Sequence, residues 1–111
     1  MATNAETADY LADQMSGAGT VSVRRMFGEY GVHCDGRFVA LICDDRLFVK
    51  ASEASDALLP DAETAPPYPG AKPHPIVPEE MWEDRDALSA LIAKTAEALP
   101  VSRRAKAKAH G

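Results

Sequence analysis

Arg24 and Arg25 stand side by side within the β-rich run TVSVRRMF, residues 20–27. Guanidinium groups grip carboxylates and phosphates in a fork that lysine cannot reproduce. A double arginine is therefore a first place to look for recognition chemistry. A strand would turn the two side chains to opposite faces. At least one is then expected to face solvent or to tie the sheet to an acid such as Glu79, Glu80 or Asp84. Lys50 poses the same choice at the end of RLFVK. A second basic group, Arg103, Arg104, Lys106 and Lys108, lies in the terminal VSRRAKAKAHG. Four such charges suit weak, salt-sensitive contact with nucleic acid. No helix-turn-helix, zinc finger or strip of stacking aromatics accompanies them.

Catalytic and metal chemistry find little support. His33, Cys34 and Asp35 are consecutive, but no second Cys or His pair sits at zinc-ligand spacing. His74 and His110 stand alone. Gly28 and Gly31 precede a strand rather than a helix, so they do not form a phosphate-cradling loop. Cys34 and Cys43 have only Arg37 and Arg46 across the turns to lower a thiol pKa, and an inert cysteine is the default. Asp44 and Asp45 read as a turn pair. We expect no catalytic, cofactor-binding or metal-binding residues, and no enzyme.

The charge balance frames these groups. All 17 acidic residues and eight of the twelve Lys and Arg fall within residues 1–100, leaving that segment at −9. Residues 101–111 carry +4. An acidic body repels a polyanion, which weighs against direct nucleic-acid binding. With 46% hydrophobic and 26% charged residues the composition is that of a globular protein. No apolar run approaches the ~20 residues of a membrane helix. The amino terminus lacks a secretory signal. Two cysteines do not make a disulfide framework. A cytoplasmic protein is expected, with one domain over residues 1–100 and a basic tail, residues 101–111, without order.

The elements that must position these residues follow from periodicity and turn chemistry. Residues 5–16 read as a helix, with Ala8, Leu11, Ala12 and Met15 on one face and Asn4 or Thr3 as cap. Residues 20–27, 30–34, 37–43 and 46–50 read as four strands of an antiparallel meander. Asp35-Gly36 is a hairpin signal, and Asp44-Asp45 makes the next turn. Ser52 caps a short helix over 52–59. Seven of the eight prolines lie in residues 60–78, a loop with an edge strand at 74–77. Tyr68 and Ile76 are expected to tack this loop to the core. A helical turn runs through Trp82, read as a core anchor. Asp84 or Asp86 caps the last helix, 86–99.

Two-residue loops predict the pairs Cys34–Arg37, Val32–Val39, Tyr30–Leu41, Cys43–Arg46, Leu41–Phe48 and Val39–Lys50. The two cysteines then lie at opposite ends of a hairpin, roughly 20 Å apart at ~3.3 Å per residue, and stay free. One face collects Tyr30, Val32, Val39, Leu41 and Phe48. The other collects Phe38, Ala40, Ile42, Leu47 and Val49. A sheet packed on one side should alternate apolar with polar, and this one is apolar on both. Its second face needs cover from the chain's own elements, a second copy, or another protein.

The ordered blocks Val23-Arg24-Arg25-Met26-Phe27-Gly28, Tyr30-Gly31-Val32, Asp35-Gly36, Phe38–Ile42, Arg46–Lys50, Pro67-Tyr68 and Val77–Asp84 closely resemble the TfoX (Sxy) N-terminal domain family, over residues 5–99. The resemblance implies an α+β fold of two layers, an antiparallel sheet flanked by N- and C-terminal helices. It implies a role like that of competence regulators, whose longer members work with a transcription activator and carry a second domain that has no counterpart here. Together these readings predict a non-enzymatic protein-interaction module that acts through protein contacts as a homodimer, with a transcription-activator protein as a further partner. Its candidate surface is Arg24, Arg25, Phe27, Gly28, Tyr30 and Lys50.

Overall fold

The computed structural model describes residues 3–26 and 28–99. Asn4 opens the first helix, α1 (Ala5–Met15), by accepting a hydrogen bond from the Glu6 backbone N–H at 2.9 Å. This satisfies one of the donors that a helix start leaves without a partner. Ala8, Leu11 and Met15 fall on its buried face. A 3-10 turn, Ser16–Ala18, leads into the sheet.

Four strands, β1 (Val21–Met26), β2 (Glu29–Cys34), β3 (Arg37–Cys43) and β4 (Arg46–Val49), pair antiparallel in chain order. Asp35 (φ 52°) and Gly36 (φ 83°) turn β2 into β3, and Asp44 (φ 53°) and Asp45 (φ 55°) turn β3 into β4. Positive φ at both central residues matches the twist of the flanking strands. Aspartate tolerates it because its short side chain can bond locally. The α+β class and the meander are as the sequence predicts.

The register of β2 on β3 is not. Cys34 faces Arg37 as expected, but the pairing then shifts between Val32 and His33. Phe38 pairs with His33, Val32 with Ala40, and Tyr30 with Ile42. Val39 is the extra residue, and one extra residue exchanges the faces of everything beyond it. Tyr30, Val32 and Val39 therefore pack with Ala40, Ile42, Leu47 and Val49. Phe38 crosses to the side of Leu41, Cys43 and Phe48. The β3–β4 register agrees with expectation.

Helix α2 (Glu53–Leu58) starts from Ser52 through a capping box with Ser55. The proline-rich segment then forms a small hairpin, β5 (Thr64–Ala65) on β6 (His74–Pro75). Helix α3 (Glu79–Trp82) precedes α4 (Arg85–Ala98), which Asp84 caps through the Ala87 N–H. Trp82 is buried, and its indole N–H donates to the Val77 carbonyl at 3.2 Å. On α4, Leu88, Leu91, Ile92 and Thr95 point into the core. Among the described residues no helix is long and apolar enough to cross a membrane.

The two faces of the sheet are covered differently. Helices α1 and α4 pack against the face of Val32, Ala40, Ile42 and Leu47. The second face receives the proline-rich segment. Phe48 bridges Ile76, and the Val77 N–H donates to the Leu47 carbonyl at 2.8 Å. The segment thus closes the open edge of β4. Ala65 and Ile76 cover Phe48 and its neighbours. The chain itself supplies part of the missing cover.

Glu29 holds one end of this assembly together. Its carboxylate accepts from the Thr3 N–H at 2.7 Å and the Asp44 N–H at 3.0 Å. Thr3 in turn donates its hydroxyl to the Ile42 carbonyl at 3.2 Å. Asn4 donates its N–H to Asp45 at 2.7 Å. The start of the chain, β2 and the β3–β4 turn meet at one carboxylate. Charge-assisted bonds of this kind contribute about 1.5–3 kcal/mol each. We expect Glu29→Ala to lower unfolding stability by about 2–4 kcal/mol in urea titration, and Glu29→Gln by roughly half that. An unchanged midpoint in Glu29→Ala would show that the carboxylate ties nothing.

Candidate interaction surface

The second face of the sheet can be read in rows from the register. Ser22, His33 and Phe38 form one row; Arg24, Gly31, Leu41, Phe48 and Ile76 form the next. Met26 and Glu29 form a third, beside Cys43 and Arg46. The β5–β6 hairpin covers the β4 side of this surface. The β1–β2 side holds a cleft of about 330 Å³, lined by Met26, Glu29, Tyr30, Leu41, Cys43 and Tyr68. Tyr68 stands at its mouth with 51% of its surface exposed. Small-molecule sites run to about 300–1,000 Å³, so this one has room for a single large side chain.

Gly31 makes the neighbouring packing possible. A Cβ there would lie 3.3 Å from the Phe38 ring and 3.4 Å from the Met26 methyl. Without one, Phe38 and Met26 both settle over the β2 backbone. Phe38 stacks on His33, with ring centroids 4.9 Å apart and planes 15° apart. The Lys50 ammonium sits over the Phe38 ring, 4.5 Å from its centroid. The Arg46 guanidinium lies 5.0 Å from the centroid of Phe48. Cation–aromatic contacts of this length hold a charge in place while leaving it open to a partner.

The charges near the cleft leave their mark on titration. Burial, then the Arg24 charge, holds His33 below its ordinary pKa. His74 is lowered by burial first and then by Lys50 and Lys72. Burial lowers Lys50 as well. The His33 Nδ1 atom is buried without a hydrogen-bond partner. The Arg24 charge thus reaches His33, and the Lys50 and Lys72 charges reach His74. Glu29 lines the cleft, accepts from two backbone N–H groups and keeps the charge that raises the Cys43 thiol.

The sequence-predicted surface residues separate into two groups. Arg24 and Lys50 come together on the second face, with His33 and Phe38 between them. Arg25 faces the opposite side, its guanidinium 5.8 Å from the Tyr30 ring centroid. Gly28 makes the β1–β2 turn at φ 81°. Phe27, Arg103, Arg104, Lys106 and Lys108 lie outside the described residues. Neither Arg24 nor Arg25 forms an ion pair with Glu79, Glu80 or Asp84 among the described residues; both are exposed. Arg85 pairs instead with Asp13 at 3.3 Å, and Arg37 donates to the Ala96 carbonyl at 2.9 Å. Sequence reasoning left His33, Phe38 and Met26 out of the surface, because the bulge at Val39 is what brings them to the face of Leu41, Cys43 and Phe48.

Cys34 and Cys43 are free and buried on opposite faces of the sheet. Burial, then the Glu29 charge, raises the Cys43 thiol to about 11. Cys34 is raised by burial and by Asp35. Among the described residues, no group of three or more His, Cys, Asp and Glu could hold a metal ion. A thiol at about 11 has roughly a hundredfold less thiolate at neutral pH than an ordinary cysteine. In the folded chain at pH ~8, Cys43 should react with iodoacetamide about a hundredfold slower than free cysteine. Its rate should climb as pH approaches the raised value. Rapid labelling at neutral pH would contradict this picture of the cleft floor.

Comparison with known proteins adds two findings. The model of the TfoX N-terminal domain family matches residues 13–99. A protein of Spirochaeta aurantia, described as an uncharacterized 12.7 kDa protein in the trpE 5′ region, is 37% identical over 108 residues. The match covers 97% of this chain and 93% of that protein.

Proposed function

The chain belongs to the TfoX N-terminal domain family, and we propose that it is a non-enzymatic protein-interaction module of the regulatory type. It acts by docking a partner protein on the second face of its sheet. The observation that carries this reading is the apolar cleft beside Tyr68, with Glu29 in its wall, Arg46 across from Cys43 and Arg24 in the row of Leu41. An apolar pocket with a charged rim is the usual anatomy of a protein contact, in which the pocket supplies affinity and the rim supplies orientation. Its deepest sulfur is a protonated thiol at neutral pH, which suits a packing role rather than a nucleophile. Two free, buried cysteines support a cytoplasmic setting. A transcription-activator protein is the partner class that the resemblance of the strand blocks favours.

Photo-crosslinking in the source cell tests the docking face. With Tyr68 replaced by benzoylphenylalanine, irradiation should attach one or a few discrete proteins. The same replacement at Tyr10, on α1 and away from the cleft, should attach none of them. Identical adducts from both positions, or none from position 68, would overturn the reading. A second reading is self-association through the same face, favoured by the apolar surface that the β5–β6 hairpin leaves uncovered. Light scattering separates the two, since a dimer would have twice the 11.9 kDa of one chain.

A further inference from the structure

Away from the Tyr68 cleft, the other end of the second face gathers cations that no acid answers. Among the described residues Arg46 faces Asp44 at 3.9 Å, Arg85 faces Asp13 at 3.3 Å and Lys94 faces Glu97 at 4.0 Å. Lys50 and Lys72 form no such pair among those residues. The two lysines meet around His74. Phe48 bridges Ile76 in the antiparallel sense, so two residues further on Lys50 stands opposite His74. The Ala51 N–H donates to His74 Nδ1 at 3.4 Å. A ring that accepts at Nδ1 carries its proton on Nε2. That Nε2 bonds nothing among the described residues and is not closed off from solvent. It is a donor whether the imidazole is neutral or charged.

The surroundings of this ring are positive. After burial, the charges that move His74 are those of Lys50 and Lys72. Glu29, the acid of the cleft, stands two rows away from Phe38 and Lys50. Glu53 and Glu63, the acids nearest along the chain, pair with neither lysine among the described residues. The Lys50 ammonium is also held in place, 4.5 Å over the Phe38 ring, so less side-chain freedom is lost when it takes a ligand.

We propose that Lys50, Lys72 and the His74 Nε2–H form a binding site for a phosphate group, free or carried by a small molecule. A tetrahedral dianion has acceptor oxygens enough for three donors from two segments, and lysines meet it as point charges. A carboxylate brings one charge and two oxygens. The guanidinium fork that would suit it is not at this place, since Arg24 lies on β1, across β2 and β3 from Lys50. A nucleic-acid backbone would run on from the site over a body of net −9 and be repelled there. A bound phosphate would bridge the end of β4 to the β5–β6 hairpin, whose loop carries Tyr68. The site does not depend on the docking face proposed above.

The test titrates the full chain, labelled with nitrogen-15, at pH ~7.5, where phosphate is largely a dianion. The probes are inorganic phosphate, methyl phosphate and acetate, with chloride at matched ionic strength as the control. Phosphate should shift the amides of Ala51, Lys72 and His74 in a saturable way, with a Kd on the order of a few millimolar. It should also raise the pH at which the His74 ring titrates, since a nearby anion favours the imidazolium. Methyl phosphate binding as tightly would assign the site to phosphate carried by a small molecule, and binding about tenfold weaker to the free ion. Lys72 is exposed, so Lys72→Gln should fold normally and weaken phosphate by at least about threefold. Arg25→Gln removes the same charge on the opposite face of the sheet and should leave affinity within about twofold. Shifts reproduced by chloride, acetate binding as tight as phosphate, shifts centred away from His74, or equal losses in the two variants would overturn the proposal.

Discussion

Strand β3 has no polar face. From Val39 to Cys43 every side chain is buried, so the sheet around it must be covered on both sides. The cover is built from two unlike pieces. Helices α1 and α4 are long enough to blanket one face, and they meet there through Leu11, Met15, Leu88 and Ile92. The other face receives only the short hairpin β5–β6 and Ile76, while Val77 and Trp82 turn to the helix side. That hairpin covers the β4 edge and Phe48, and only Tyr68 of its loop reaches across to the β1–β2 side. The uncovered remainder is the cleft, so the candidate site follows directly from how the hydrophobic burden of β3 is shared.

Two local features decide what surrounds that cleft. The bulge at Val39 moves Phe38 onto the second face, where it joins His33 and supports the Lys50 ammonium. The absence of a side chain at Gly31 lets Phe38 and Met26 close over the backbone instead of standing away from it. Arg24 then occupies the outer position of the central row. Charges on an edge strand also discourage pairing with stray strands, so Arg24 and Arg25 protect β1 whatever else they do. Glu29 anchors the far end of the cleft by gathering the start of the chain and the β3–β4 turn.

Much of the scaffold was legible because local chemistry dictated it. Asp35-Gly36 and Asp44-Asp45 announced their turns. Ser52 announced its cap, and the choices Asn4 or Thr3 and Asp84 or Asp86 were decided by the structure for Asn4 and Asp84. The doubly apolar sheet was visible as a pattern, and so was the need for cover. The site was less legible. A bulge leaves no composition signal, so the exchange of Phe38 with Val39 could not be read from alternation alone. An apolar run of Phe38-Val39-Ala40 without a polar position was the one hint. Ile76 tacks the proline-rich loop to the core as its type and place suggested, whereas the role of Glu29 depends on contacts between residues far apart in sequence, which strand pairing alone does not specify. Arg24 and Lys50 were singled out by type, but their meeting on one face depends on the three-dimensional register.

The central claim is that the second face of the sheet keeps one open apolar cleft beside Tyr68. Solvent paramagnetic relaxation by a neutral gadolinium chelate on the full chain measures this directly. The Met26 methyl and the Tyr68 ring should relax far more strongly than the Met15 methyl, which is buried in the core. Equal protection of Met26, Tyr68 and Met15 would contradict the account.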